Sequence, residues 1–294
     1  MSIQKWLEKN TASLSGKTVA ITGSTGGLGK ELCKYLAALG ASLVLVDRNL
    51  HRSEQNKADI LSLFPETEVH LVTADLEKMI SVKKAADILK VMPIDVLILN
   101  AGAYGIPVKI CETGYCNVFQ INFISQYYLA RALAPSLKKR GGKIVAVGSI
   151  ANKFSKTTQT DIDFAKRSNA NLIYGNAKRY LIYALYGLSE KENVPVSISH
   201  PGITFTNITS NYPHFLSAVI KYPMKIIFMN PKKACLSVIK GVFNPCEKYR
   251  WIGPAWFNIW GLPQEKHITG CNEREYEYIN KTAEEIYQNI RSTM

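Results

Sequence analysis

The sequence predicts a doubly wound, mostly parallel α/β sheet, and three observations carry that reading. Short runs rich in Val, Ile and Leu recur up to residue 202, segments with apolar residues at helical spacing separate them, and most runs are apolar at consecutive rather than alternate positions. Strands that are apolar on both faces belong to a parallel sheet covered by helices on both sides.

The elements follow in order. KTVAITG, beginning at Lys17, is the first strand, and residues 28–39 make the first helix. ASLVLVD ends the second strand at Asp47, EVHLVTAD the third at Asp75, and a helix over 81–91 leads to DVLILNAG, ending at Gly102. A helix over 116–137, the strand KIVAVGS up to Ser149, a helix over 174–188 and the strand VPVSISHPG up to Gly202 complete six strands. No linker rich in Pro, Gly or Ser interrupts residues 17–203 and no repeat is visible, so one domain is expected. Within it we distinguish an N-terminal helical extension (1–14), a core (15–207) and a C-terminal lid and extension (208–294). The extension predicts a helix over 231–242, a final strand at YRWIG and a helix over 272–290. In the last, Ile279, Ala283, Ile286 and Ile290 form one buried stripe. At the other end, Ile3, Trp6 and Leu7 share one helical face, suited to packing on the body or on a neighbouring subunit. WIGPAWFNIWGLP, with its three tryptophans, reads either as filling around the last strand or as part of a substrate mouth.

A chain of 294 residues, 47% apolar and 20% charged, packs a core and is not disordered. Its net charge of +13 invites an anionic partner, with residues 201–250 holding seven Lys/Arg against the single acid Glu247. No arginine-rich block, zinc-finger spacing or basic heptad helix accompanies the excess, so we expect a solvated basic face and no nucleic-acid partner. The six cysteines contain no CxxC, and CETGYC lacks a histidine or second pair, so reduced thiols and no metal are expected. The first ten residues lack an apolar signal core, which favours a cytoplasmic location. FLSAVIKYPMKIIFM, broken by Lys221, Pro223 and Lys225, is too short and too charged to span a bilayer. Peripheral contact between this basic, apolar stretch and a membrane stays open as an alternative.

Two motifs carry chemistry. In TGSTGGLG (residues 22–29), Gly23, Gly27 and Gly29 stand where the first strand turns into the first helix. Glycines there allow a tight turn and let backbone amides approach a pyrophosphate, which the helix N-terminus attracts. A triphosphate-binding loop is excluded, because Leu28 stands where that motif needs glycine and Glu31 follows Lys30. Asp47, at the end of the second strand, is placed to accept from ribose hydroxyls, which favours NAD; Arg48 could instead pair with the 2′-phosphate of NADP. We weigh Asp47 above Arg48 and keep NADP possible. The second motif is YGNAK. Tyr174 and Lys178 are four apart on a helix, hence on one face, and an ammonium there stabilises a phenolate for proton exchange with an alcohol or ketone.

Taken together, TGSTGGLG, Asp75 in TADL, Asn100–Ala101–Gly102, Asn122 in QINF, Ser149 in VGSIA, YGNAK and HPGITFT at 200–206 resemble, in order, the short-chain dehydrogenase/reductase family. The resemblance covers about residues 15–207 and implies a Rossmann-type fold. It implies Tyr174 as general acid/base, Lys178 lowering its pKa and holding the nicotinamide ribose, Ser149 binding the substrate oxygen, and Asn122 holding a water behind Lys178. The implied cofactor contacts are Thr22, Gly23, Ser24, Thr25, Gly27, Leu28, Gly29, Asp47, Arg48, Asp75, Leu76, Asn100, Ala101, Gly102, Tyr174, Lys178, Pro201, Gly202, Ile203 and Thr206. Hydride would pass between nicotinamide and a carbonyl carbon while Tyr174 moves the proton. The family also implies a homodimer or homotetramer through the helices holding Asn122 and Tyr174.

Three departures stand out. Ser149 and Tyr174 are 25 apart with a polar insertion between them, a spacing similar to retinol-dehydrogenase-like members. Leu99 precedes Asn100 where many relatives have asparagine, and Gly148 precedes Ser149 where a second serine is frequent. In the expected substrate lid, Phe205, Phe215, Leu216, Ile220, Met224, Ile227 and Phe228 offer an apolar wall without an arginine clamp. That favours a hydrophobic secondary alcohol or ketone, a hydroxysteroid first and a retinoid, fatty or aromatic carbonyl after it. A dinucleotide-binding redox sensor without turnover is the alternative of another class. His200, at a strand end, is expected to be structural.

Overall fold

The computed structural model describes residues 2–202 and 229–293. Ile203, Thr206 and the apolar lid residues Phe205, Phe215, Leu216, Ile220, Met224, Ile227 and Phe228 lie outside the described residues. The strands are β1 (Thr18–Thr22), β2 (Ser42–Asp47), β3 (Val69–Thr73), β4 (Val96–Leu99), β5 (Lys143–Val147), β6 (Val196–Ser199), β7 (Arg250–Trp256) and β8 (Trp260–His267). They form one sheet in the order β3-β2-β1-β4-β5-β6-β7-β8, parallel throughout except for the antiparallel β7–β8 pair. The order reverses between β1 and β4, and a crevice opens at such a switch point beyond the strands' C-terminal ends. This is a Rossmann-type sheet with one added edge strand.

Consecutive residues of each strand point to opposite faces, which explains the double greasiness of the runs. Leu43 and Leu45 of β2 join Val19, Ile21, Ile98 and Val145 on one face, under α1 (Ile3–Asn10), α2 (Gly27–Ala38) and α8 (Pro231–Phe243). Val44 and Val46 join Leu97, Leu99, Ile144 and Ile198 on the other, under α4 (Met79–Val91), α6 (Ser125–Lys139), α7 (Ala170–Glu192) and α9 (Glu273–Thr293). Trp6 of α1 is buried in the first of these layers, so the N-terminal helix packs on the body.

The expected elements are present with small shifts at their ends, and two unexpected ones join them. Helix α3 (Leu50–Leu63) is polar over most of its length and buries only Ser53, Asn56 and Ile60, too few for an apolar stripe. Strand β8 closes a hairpin whose turn places Phe257 and Asn258 at φ of 52° and 59°. Two consecutive left-handed residues give a tight turn that follows strand twist, and neither residue is the usual glycine, which hides it in sequence. Its tryptophans divide: Trp251 is fully buried, whereas Trp256 and Trp260 stay exposed near the turn. The expected helix over 116–137 is a rod made of α5 (Asn117–Phe119), a π-helical stretch (Gln120–Ile124) and α6. None of the helices among the described residues is long and apolar enough to cross a membrane.

Candidate active site

The crevice is a cleft of about 810 Å3 beyond the ends of β1, β2, β4, β5 and β6. Its phosphate end is built by glycine. Gly23 holds φ +70, and a Cβ there would lie 2.9 Å from Ala101 Cα; a Cβ on Gly29 would lie 2.2 Å from the Gly23 carbonyl oxygen. The first turn of α2 therefore sits on the strand end with no room for a side chain. Its N-cap is Gly26, which supplies no side-chain acceptor, so the helix's leading N–H groups remain free for an anion. These features fit a dinucleotide pyrophosphate.

Beyond the glycine turn, at the ends of β2 and β3, the lining includes Asp47, Arg48, Arg52, Asp75 and Leu76. Asp47 is buried, and its carboxylate accepts from Ser24 Oγ at 2.5 Å, Ser53 Oγ at 3.0 Å, and Thr25 N and Oγ1, each at 3.2 Å. It ties the glycine loop to β2 and α3. Arg48 and Arg52 are exposed and form no ion pair among the described residues.

Two expected cofactor contacts stand behind the wall instead. Thr22 is buried, its Oγ1 accepting from Asn100 N and Ala101 N at 3.0 Å each, and Ser24 is spent on Asp47. Both brace the loop. Gly23, Thr25, Gly27, Leu28, Gly29, Asn100, Ala101, Gly102, Pro201 and Gly202 do line the cleft. Asn122 stands behind Gly102 in the π-helical stretch, where its amide donates to Ala103 O and Val118 O at 2.8 Å each and its Oδ1 accepts from Ala103 N at 3.2 Å. A Cβ on Gly102 would meet Asn122 Oδ1 at 2.7 Å and Lys178 Nζ at 3.6 Å. A side chain at that position would press on the Asn122 amide.

At the far end Ser149, Tyr174 and Lys178 come together on the lining. Helix α7 delivers the last two from one face, and β5 delivers Ser149 at its C-terminal end. The Lys178 ammonium donates to Val147 O at 2.9 Å and lies 5.8 Å from the Tyr174 ring centroid. Burial brings Lys178 down to about 8. Burial also pushes Tyr174 up to about 12, with Tyr104 adding to the rise and a hydrogen bond with Ser149 opposing it.

Tyr104 and Arg52 are among the lining residues that the sequence reading missed. Tyr104 stands edge-on to Tyr174 at 5.3 Å and donates to Asn171 Oδ1 at 2.6 Å. His200 is stacked on Trp251 at 5.1 Å, shares a hydrogen bond with Asn258 O at 3.0 Å, and is brought down to about 4 by burial, with Lys153 and Lys266 adding. A neutral ring holding a hairpin turn is structural. Arg52 was findable, because it stands four residues after Arg48, one helical turn away. Gly148 also has its reason: a Cβ would press on Ile198 Cγ2 at 3.0 Å and Ile182 Cδ1 at 3.3 Å.

Comparison with known proteins agrees with this geometry. The family model for short chain dehydrogenases matches residues 17–215. An uncharacterized oxidoreductase of Schizosaccharomyces pombe is 26% identical, covering 97% of this chain and 90% of its own. Among solved structures, an uncharacterized protein from Mycobacterium Paratuberculosis superposes with a TM-score of 0.70 at 21% identity over 96% of both chains. A short-chain dehydrogenase from Sphingobium yanoikuyae in complex with NADPH superposes with a TM-score of 0.59 at 24% identity, over 76% of this chain and 84% of its own. With a glycine cradle, a Ser–Tyr–Lys cluster and a family match over two thirds of its length, the chain belongs to the short-chain dehydrogenase family of NAD(P)-dependent oxidoreductases.

Proposed function

We propose that the protein interconverts a hydrophobic secondary alcohol and its ketone, with a hydroxysteroid as the first candidate and retinoid, fatty or aromatic carbonyls next. The observation that carries this reading is the convergence of Ser149, Tyr174 and Lys178 at one end of a cleft whose other end is a glycine cradle. A nicotinamide dinucleotide bound in the cleft supplies or accepts the hydride. In reduction, Ser149 holds the carbonyl oxygen and the Tyr174 hydroxyl gives it a proton; in oxidation the same oxygen returns the proton to Tyr174. The Lys178 ammonium stabilises the negative charge that Tyr174 acquires on giving up its proton. Asn122, fixed by three hydrogen bonds behind Gly102, is proposed to hold a water behind that ammonium. Tyr174→Phe is expected to abolish turnover of a steroid panel while dinucleotide affinity stays within about twofold; persistent turnover would sink the mechanism. A redox sensor has no need of this proton-transfer set, and measurable turnover separates the two readings.

For the cofactor we give NADP the preference. The case for NAD rests on Asp47 offering a carboxylate to the ribose, but that carboxylate already accepts from four donors of its own loop and helix. Arg48 and Arg52 are the charged groups turned to solvent beside it, and a guanidinium pair suits a 2′-phosphate. Thermal shifts with each dinucleotide check this: NADP should stabilise more, and Arg48→Ala with Arg52→Ala should erase the difference. Greater stabilisation by NAD would restore Asp47 to the ribose. The proposed compartment is the cytoplasm, supported by six free cysteines.

A further inference from the structure

We propose that Arg179 and Glu275 are positioning residues that hold the turn carrying Ser149 in register with Tyr174. The proposal rests on the reading of Ser149 and Tyr174 above. Arg179 follows Lys178 on α7 but points away from the cleft, and its side chain is only 1% exposed. Its Nε donates to Glu275 Oε1 at 2.7 Å, Nη2 to Glu275 Oε2 at 2.5 Å and to Gly270 O, and Nη1 to Asn152 O at 3.1 Å. Asn152, fully buried in the 3-10 turn Ile150–Phe154, donates from Nδ2 to Ser149 O at 2.6 Å, and its backbone N–H reaches the same oxygen at 3.1 Å. Glu275 Oε1 also accepts from Thr157 N at 3.1 Å and Thr157 Oγ1 at 3.0 Å. One carboxylate on α9 thus anchors the catalytic helix directly and the polar insertion on the far side of the turn.

The clamp has no slack. A Cβ on Gly175, the residue after Tyr174, would lie 2.4 Å from Ala151 O, so helix and turn meet backbone to backbone. Ser155 Oγ donates to Leu172 O at 2.9 Å beside that contact. Any sideways shift of the turn therefore displaces Ser149 relative to Tyr174. A buried guanidinium is a poor way to gain stability, since apolar packing of the same volume often does as well. It does fix direction, because each donor has one acceptor at one angle.

The test uses Arg179→Lys and Glu275→Gln, which keep side-chain length and a polar head, with thermal unfolding to show that each variant is folded, in wild-type and Ser149→Ala backgrounds. Both variants are expected to lower kcat roughly 10- to 100-fold, the scale of a displacement of up to 1 Å, with KM and dinucleotide affinity within about twofold. In the Ser149→Ala background the same changes are expected to lower kcat less than twofold further, because they act through that serine. Equal losses in both backgrounds, or losses confined to KM, would overturn the proposal. Hydrogen–deuterium exchange of residues 149–158 provides a readout without turnover: protection should fall in both variants relative to wild type, and unchanged protection would likewise overturn it. Wild-type protein that turns over no carbonyl refutes the functional reading while the exchange arm still decides the clamp.

Discussion

Lys178 shows how function and stability oppose each other at a single residue. The residue is 1% exposed, its ammonium donates to one carbonyl and has no carboxylate partner among the described residues, so burial holds its folded pKa near 8 against about 10.4 in an unfolded chain. Between those two values the unfolded state binds more protons, so stability rises as pH rises through that window, and below it the full penalty applies. Lys178→Met is expected to abolish turnover and to stabilise the unliganded protein by about 2 kcal/mol at pH 7, a gain that fades toward pH 10. Thermal unfolding at three pH values checks the sign. The same lysine was legible in the sequence, because a spacing of four on a helix places two side chains together whatever surrounds them. Thr22 and Ser24 were not: a small hydroxyl beside a glycine loop can face the ligand or the protein with equal ease. Asp47 was legible in position, but the four donors on its carboxylate were not, since they come from two separate segments, the glycine loop and α3.

At the scale of elements, α7 depends on α9. Tyr276, Ile279, Ala283 and Ile286 are buried against it, and Asn280 lies so close to Gly187 that a Cβ there would overlap its Oδ1 at 1.7 Å. Arg131 of α6 bridges Glu192 of α7 at 2.9 Å and Glu284 of α9 at 3.5 Å. Ile279→Ala is expected to lower stability by about 2–4 kcal/mol, read as a shift in the denaturant midpoint, because the cavity opens between two long helices that cannot collapse together. The stripe on α9 was visible in sequence, whereas its seat on α6 and α7 was not. Periodicity states which face is buried but not what buries it. Strand β8 and helix α3 escaped for the complementary reason, since both lie at the outside of the sheet and show little apolar pattern.

For the whole molecule, α9 covers the helices through which the family resemblance implies a homodimer or homotetramer. We infer that this chain does not assemble through that face, so amide exchange on α6 and α7 is expected to be independent of protein concentration. A stable dimer with exchange protection gained on α6 and α7 would mean that α9 swings aside. The surplus of +13 has a use that needs no partner macromolecule, because a basic field draws in an anionic dinucleotide. Raising salt about tenfold, from roughly 0.05 to 0.5 M, should weaken NADP affinity severalfold, chiefly through Arg48 and Arg52.

The hairpin at the rim has one more consequence. Pro254 and Pro263 face each other across β7 and β8, and two residues without N–H groups can face each other only at a non-hydrogen-bonded pair. There the ring nitrogen of Pro263 points away from β7, on the side of β8 where no strand pairs among the described residues, and the exposed Gln264 and Glu265 follow it. A foreign strand docking on that rim would find a missing donor at its centre and a charge beside it. That edge of the sheet is thereby guarded against growing from one molecule into the next.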